Sequence, residues 1–240
     1  MGVLLLSEVR RIFRSPRFLI FTIGFPVVYF LIFAGLYATG PDAAAALVVL
    51  MVNMAAFGAI SASISTGGRV ATERAVGWNR QLRMTPLPGW SYLVVKAVVA
   101  MLVALPALAL VFVVAAVKGV DLSALTWLEV FAAAWLGVLP FAAVGLLVGT
   151  LATPDSAQAM TTVTMLLFSL LGGIFIPAQI LPPLMLTIAQ VLPSYWMSDI
   201  ASQQVFGGGV SPVGVAVLAA WFLVAGALAV WRYRRDSLRV

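Results

Sequence analysis

Residues 69–88 read RVATERAVGWNRQLRMTPLP, a polar and arginine-rich segment between two long apolar stretches. Thr72 is a good helix cap, and Glu73 would then lie in the first turn, where the positive end of the helix dipole favours a carboxylate. Two prolines near the end of the segment would stop the helix. The segment therefore predicts a short amphipathic helix at a membrane surface, over residues 73–84, shaped to dock into a groove on a soluble partner. The same residues also fit a solvated loop held near anionic lipid by its arginines.

The rest of the chain is dominated by apolar residues. Of its 240 residues, 63% are hydrophobic and 9% are charged, and the mean hydropathy is +1.10. A water-soluble domain of this size needs far more surface charge, and long apolar runs favour transmembrane helices over a β-barrel. We therefore predict an all-α integral membrane protein with one transmembrane domain over residues 1–240. Anionic lipid and membrane topology explain the net charge of +6, so no nucleic-acid partner is expected.

Charged residues divide the sequence into uncharged runs of 24, 26, 21 and 25 residues, each sufficient for one helix across a hydrocarbon core of about 30 Å. A longer uncharged run, residues 156–198, contains several prolines and glycines, so we divide it between a fifth span and a broken helical hairpin. An amphipathic helix at 1–16 is predicted to lie flat on the membrane, and the hairpin, at 178–206, to lie on the outer surface. We predict six spans, at about 18–40, 44–67, 93–117, 129–152, 158–177 and 211–231.

The basic residues set the orientation of these spans. Thirteen of the 14 lysines and arginines lie in the N-terminal segment, in or beside the loop after the second span, or in the C-terminal tail. An even number of spans places these three regions on one side of the membrane, and short loops rich in lysine and arginine favour the cytoplasmic side. Both termini and the segment at 69–88 are therefore predicted to be cytoplasmic, and the chain is expected in the cell membrane.

Spans one, two and five each carry polar or aromatic residues on one face or on adjoining faces, several of them at four-residue intervals. Polar residues in hydrocarbon usually turn toward protein or water, so these faces predict a conduit for an amphipathic or lipid-like molecule. Ordinary helix packing through small and hydroxyl residues explains them equally simply, and it is the favoured explanation for any single residue. The candidate pathway residues are Phe25, Tyr29, Phe33, Asn53, Phe57, Ser61, Thr161 and Met165.

Several kinds of chemistry are excluded by the residues that the chain lacks. It has no cysteine, no histidine and no GxxxxGK[ST] loop, so it cannot hydrolyse ATP by itself. No ionisable residue is expected deep inside a span, and Lys96 is assigned to the edge of the loop before span three, which counts against a proton- or sodium-driven carrier. If the chain moves a molecule uphill, the energy must come from another protein through a cytoplasmic surface.

The segment at 69–88 and the six-span plan resemble the membrane subunits of type-2 ATP-binding-cassette exporters. The closest likeness is to the coupling-helix signature of the drug-resistance branch, and it is carried by Glu73-Arg74, Gly77, Arg80, Leu82 and Thr85-Pro86-Leu87-Pro88. The broken hairpin is similar to that family's re-entrant segment between spans five and six. The chain departs from the pattern at Ala75, where a second acidic residue is common, and at Trp78, where a threonine often follows the glycine. The ATPase contact would therefore use different side chains.

The resemblance implies a permease subunit without its own ATPase site and without a bound cofactor, paired with an ABC ATPase subunit that binds ATP and Mg. It also implies a dimer with a second permease copy or a paralogue, and a pathway near spans one, two and five. The ATPase-coupling residues that it implies are Glu73, Arg74, Gly77, Trp78, Arg80, Leu82 and Arg83. The expected cargo is a hydrophobic, cationic or amphipathic drug-like compound, as in antibiotic resistance. The alternatives are export of lipid or lipid-linked glycan, a non-transporting membrane scaffold or immunity protein, and, third, a membrane-embedded enzyme.

Overall fold

A computed structural model describes Arg10 and residues 20–37, 43–77, 91–176 and 181–237. These residues form helices joined by turns and short connections, without a β-strand among them. A π-helical turn at Ile20–Gly24 leads directly into the first α-helix. The α-helices of the described part are α1 Phe25–Tyr37, α2 Ala43–Ala75, α3 Ser91–Val117, α4 Ala124–Leu136, α5 Leu139–Leu151, α6 Pro154–Leu171, α7 Pro183–Val191, α8 Pro193–Phe206 and α9 Pro212–Ser237.

Four helical segments of the described residues are long and apolar enough to cross a membrane. They are α2, α3, the α4–α5 pair and α9. Residues Thr22–Leu36, which include most of α1, form a shorter apolar helix, and the first half of α6 is polar. The predicted class, an all-α membrane protein, is confirmed for the described part of the chain. The count of six spans remains a prediction, and the amphipathic helix predicted at 1–16 lies outside the described residues except for Arg10, which is helical and exposed.

The fifth predicted span has different boundaries from those expected. Helix α6 begins at Pro154, because Thr153 and Ser156 cap each other's backbone N–H groups, at 3.3 and 3.0 Å. It ends at Leu171, and Gly173 then adopts a φ of +78°, which turns the chain out of the helix. The helix thus begins before the approximate predicted limit of 158 and ends before that of 177, because the capping signal precedes the apolar run and the glycine pair ends the helix within it.

Two short helices, α7 and α8, occupy the region of the predicted outer hairpin. They are separated only by Leu192, and two indole N–H groups bond to the last carbonyls of α7. Trp196 donates to the Gln190 carbonyl at 2.7 Å, and Trp221 of α9 donates to the Val191 carbonyl at 2.9 Å. Helix α8 packs against α4, α2 and α9. The broken hairpin is therefore built into the helix bundle.

Helix α2 is the centre of the molecule, because it packs against α1, α3, α5 and α6, and every residue from 51 to 64 is buried. Its contact with α5 is a contact of backbones. A Cβ added to Gly67 would lie 1.8 Å from the Gly145 carbonyl oxygen, and one added to Gly149 would lie 2.2 Å from the Gly67 carbonyl oxygen. Gly145 and Gly149 are four residues apart, so the small residues on one face of α5 let the two helices approach closely.

Candidate functional site

A cavity of ≈ 710 Å³ lies between α1, α2 and α6, with the π-helical turn at its side. Five of the eight candidate pathway residues line it, from all three predicted spans. These five are Phe25, Phe57, Ser61, Thr161 and Met165. The spacing within each span thus predicted a common face, and the structure brings the three faces together. Ser65, Gln158 and Thr162, which lie on the polar faces of predicted spans two and five, and Phe175 also line it, although they are not among the eight candidates.

The lining of the cavity changes along its length. One end is polar and lies where α2 approaches its C-terminus and α6 begins, with Arg69, Thr72 and Gln158. The other end is aromatic, since the Phe57 and Phe175 rings are 5.0 Å apart and the Phe25 and Phe57 rings are 5.3 Å apart, measured between centroids. A cavity that is polar at one end and apolar at the other suits an amphipathic molecule.

Tyr29 and Phe33 do not line the cavity, but they extend its aromatic end. Their rings stack at 4.2 Å between centroids, and the Tyr29 ring lies 6.0 Å from both Phe25 and Phe175. The resulting cluster of five rings (Phe25, Tyr29, Phe33, Phe57 and Phe175) is called the aromatic plug below. Only Phe175 was missed. Phe175 reaches the plug because the chain turns at Gly172-Gly173. The sequence shows that the chain can turn at these glycines, but it does not show toward which helix the turn directs the chain.

Asn53 lies apart from the main cavity. It lines a smaller cavity of ≈ 80 Å³ between α2 and α8, where its carboxamide oxygen accepts a hydrogen bond from Ser198. Asp199 lines the same cavity, and α8 is not one of the four candidate spans. Burial raises the pKa of the Asp199 carboxyl, and a hydrogen bond with Gln203 opposes this shift. Asp199 was not among the predicted site residues, because it lies in a segment that was expected only to fold back at the surface.

The segment at 69–88, which was predicted to contain a separate helix over residues 73–84, begins differently from the prediction. Helix α2 runs without a break through Thr72 and Glu73 to Ala75, and the Thr72 hydroxyl donates to the Arg69 carbonyl at 2.8 Å within the helix. The predicted start of a new helix at Glu73 is therefore wrong. Gly77, with a φ of +74°, turns the chain out of α2. The remaining coupling residues, Trp78, Arg80, Leu82 and Arg83, lie outside the described residues, and their roles stay predictions.

Glu73 and Arg74 make their contacts inside the protein. The Glu73 carboxylate accepts a hydrogen bond from the Tyr92 hydroxyl at 2.8 Å and pairs with the Lys96 ammonium at 2.7 Å. Arg74 donates to the carbonyl oxygens of Gly149 and Thr150, at 3.1 and 2.6 Å, at the end of α5 where carbonyls lack helical partners and a cation is favoured. A charged contact of Glu73 with an ATPase does not fit this geometry, because only 6% of the residue is exposed.

The position of Lys96 also differs from the prediction, which placed it at the edge of the loop before span three. It lies inside α3, which begins at Ser91, and it is completely buried. The basic loop next to it in the sequence suggests that the Lys96 ammonium is exposed to solvent. Its charge is instead neutralised by a carboxylate on α2, 23 residues away in the sequence. Tyr92 and Lys96 are four residues apart, so they share a face of α3, and that spacing was the available signal.

Comparison with known proteins agrees with this architecture. The model of the family described as "ABC-2 type transporter" matches residues 1–206. A protein of Bacillus subtilis (strain 168), named "Putative transport permease YvfS", is 28% identical over 224 residues, and the alignment covers 91% of each chain. Because the family model covers most of the sequence, the chain belongs to the ABC-2 type transporter family.

Proposed function

We propose that this chain is the permease subunit of an ABC exporter in the cell membrane, and that it moves a hydrophobic or amphipathic drug-like molecule with energy from a separate ATPase. Membership of the family implies pairing with an ATP-binding subunit and a role in transport rather than catalysis. The observation that carries the proposal is the cavity of ≈ 710 Å³ between α1, α2 and α6, whose polar end lies beside the end of α2. The cargo would therefore enter near the segment on which the ATPase acts.

The lining of the cavity supports an amphipathic cargo. Its volume is within the range of about 300–1,000 Å³ that accommodates drug-sized ligands. Thr161 and Thr162 supply hydroxyls, whereas Met165 and Phe57 supply apolar contacts. In the proposed cycle, the aromatic plug closes the outer end of the cavity while the cargo is bound, and the cargo passes the plug when the helices move. A second permease copy would complete the open side of the cavity.

A lipid or lipid-linked glycan is the second candidate cargo, and one observation favours it. Phe25 lines the cavity and is 45% exposed, and Leu166, on the other wall, is 46% exposed. These apolar side chains are therefore accessible from the side of the bundle, where lipid would enter. The drug-like cargo remains our first choice, because a glycan would require a wider polar lining. A scaffold or immunity protein without transport would need neither the cavity nor ATP.

The docking surface is proposed to be the segment that follows α2. Val76 is 77% exposed, and Gly77 directs the chain away from the helix. Arg80 and Arg83 would then make the charged contacts with the ATPase, and Trp78 or Leu82 would supply an apolar anchor of the kind that dominates protein interfaces. In this revised scheme, Glu73 and Arg74 hold the base of the segment in place from inside the membrane domain.

The double substitution Trp78→Ala and Arg80→Glu is expected to weaken binding of the ATPase subunit at least about thirtyfold, because it removes an aromatic anchor and reverses a contact charge. The measurement is the dissociation constant between the purified permease and the ATPase that co-purifies with it. Lys118→Glu is the matched control, since it reverses an exposed charge at the far end of α3 and should leave binding unchanged. Unchanged binding of the double variant would show that the ATPase docks elsewhere.

A further inference from the structure

The buried charges of Glu73 and Lys96, at the end of α2 and on α3, do not line the cavity that would hold the cargo. Lys96 is fully buried, Glu73 is 6% exposed and Tyr92 is 3% exposed. Glu73 lies only two residues before the last residue of α2, and the proposed docking segment follows directly. The coupling cluster, defined as Glu73, Tyr92 and Lys96, therefore lies at the point where a displacement of the docking segment would enter the helix bundle.

The coupling cluster joins three helices. Glu73 on α2 contacts both Tyr92 and Lys96 on α3, and the Lys96 ammonium lies 5.5 Å from the centroid of the Tyr92 ring. The Tyr92 ring also contacts α9, because it stacks on the Tyr233 ring with centroids 5.8 Å apart and planes inclined by 19°. A shift of Glu73 along the axis of α2 would thus act on α3 and, through the stacked rings, on α9.

Arg74 connects the same end of α2 to a fourth helix. Its guanidinium bonds to the last carbonyls of α5, and the contact of Gly67 with Gly145 and Gly149 holds the two backbones together next to it. On its other side, α2 meets α6 through the apolar side chains of Ala71 and Ala157, with Met160 packed against them. Apolar side chains permit sliding more readily than paired charges do, because they have no directional bonds to break.

Stability alone does not explain a buried ion pair. The cost of removing two charges from water can exceed their mutual attraction, and well-packed apolar residues of similar volume are often equally stable or more so. A carboxylate held by an ammonium and a phenol has a narrow range of permitted distances, however, so it fixes the register of α2 against α3. Such a pair is suited to transmitting movement between helices.

We propose that the coupling cluster is a transmission element that makes the cytoplasmic ends of α2, α3 and α9 move as one body, so that displacement of the docking segment by the ATPase reshapes the cavity beside α6. The role assigned to the cluster rests on the proposed function, because it needs an ATPase that pulls on the segment after α2. Its residues are positioning residues, since none of them lines the main cavity.

The test compares transport per ATP hydrolysed in proteoliposomes that contain the permease and its ATPase, with ethidium as the transported probe. The variant Glu73→Leu/Lys96→Met replaces the ion pair by apolar side chains. It is expected to fold with an unchanged or higher melting temperature and to bind the ATPase normally. Transport per ATP hydrolysed is expected to fall about fivefold or more, the lower end of common coupling effects. A pair with a merely structural role would leave transport per ATP hydrolysed at the wild-type value in every variant that folds, whatever its melting temperature.

Two further variants make the result decisive. Lys118→Met/Glu129→Leu removes one acidic and one basic residue that are exposed near the other end of the bundle, and it should keep the wild-type ratio. Tyr92→Phe keeps the ion pair and the ring stack but loses the phenol hydroxyl. It is expected to lower the ratio by about twofold, and it decides the question if the double variant fails to fold.

A wild-type ratio in both Glu73→Leu/Lys96→Met and Tyr92→Phe would overturn the transmission role while leaving the proposed function intact. A wild-type permease that neither binds the ATPase nor changes its rate would overturn the proposed function, and the transmission role with it. A lowered ratio with normal ATPase binding supports the proposal, because the motor would then be attached and active but disconnected from the helices.

Discussion

Replacing Gly149 with leucine is expected to prevent the chain from forming a stable helix bundle. Even a Cβ at this position would lie 2.2 Å from the Gly67 carbonyl oxygen and 2.8 Å from the Val70 Cβ, so α2 and α5 would have to separate. Overpacking of a core by extra methylenes typically costs about 1–3 kcal/mol, and here backbone rather than a flexible side chain must move. The cost would be a large part of a total stability of about 5–15 kcal/mol.

The effect of Gly149→Leu can be measured by gel filtration and thermal unfolding in detergent. The expected result is aggregation, or a melting temperature lower by about 10 °C or more. Gly35→Ala is the matched control, because a Cβ added to Gly35 on α1 meets no atom within 4 Å, and alanine favours the helix. A monodisperse Gly149→Leu variant with the wild-type melting temperature would contradict the close α2–α5 packing.

Replacing Ser65 with tryptophan is expected to abolish transport without affecting ATPase binding. The Ser65 side chain lies on the cavity wall, half-buried, between the polar end and the aromatic plug. An indole at this position would occupy the space between α2 and α6 that the cargo needs. We expect ATP-driven uptake of ethidium into inside-out vesicles to fall by about tenfold or more, because a loss of about 1.4 kcal/mol in cargo binding already corresponds to a tenfold change.

Leu110→Trp is the control for Ser65→Trp, because Leu110 is exposed on α3 and does not line the cavity. It should transport ethidium at the wild-type rate. Wild-type transport by Ser65→Trp would show that the cargo does not pass through this cavity. If the wild-type complex moves no amphipathic probe, whether cationic or neutral, the drug-like cargo is wrong, and a lipid-linked glycan becomes the first candidate.

The sequence predicted an all-α membrane protein because charge and hydrocarbon separate sharply along this chain. It placed the end of α2 too early, since Gly67-Gly68 and the polar residues after them indicate a loop in isolation. Within the bundle, Gly67 remains helical because α5 packs directly on its backbone. Thr72 is likewise compatible with either a helix start or a helix interior. A threonine that can cap a helix can also donate a hydrogen bond to the carbonyl three residues before it, as Thr72 does.

The candidate site was predictable where it depended on spacing within one helix. Phe57 and Ser61 share a face of α2 and both line the cavity. Asn53 belongs to the same series, but each four-residue step rotates the side chain by about 40° and advances it by about 6 Å, so the end of the series faces a different neighbour. The Glu73–Lys96 pair was not predictable, because its partners are joined only by the packing of α2 on α3.

The docking of an ATPase on the segment that follows α2 is tested most directly by photo-crosslinking from that segment. Because the chain has no cysteine, a cysteine introduced at one position would be unique. A photoreactive amino acid is nevertheless preferred to cysteine crosslinking, because it captures any partner at short range. It would be placed at Trp78 or, as a control, at exposed Lys118, and the complex would be irradiated with its co-purified ATPase. We expect a covalent adduct with the ATPase from position 78 and none from position 118. An adduct only from position 118, or none from position 78, would contradict docking of the ATPase on this segment.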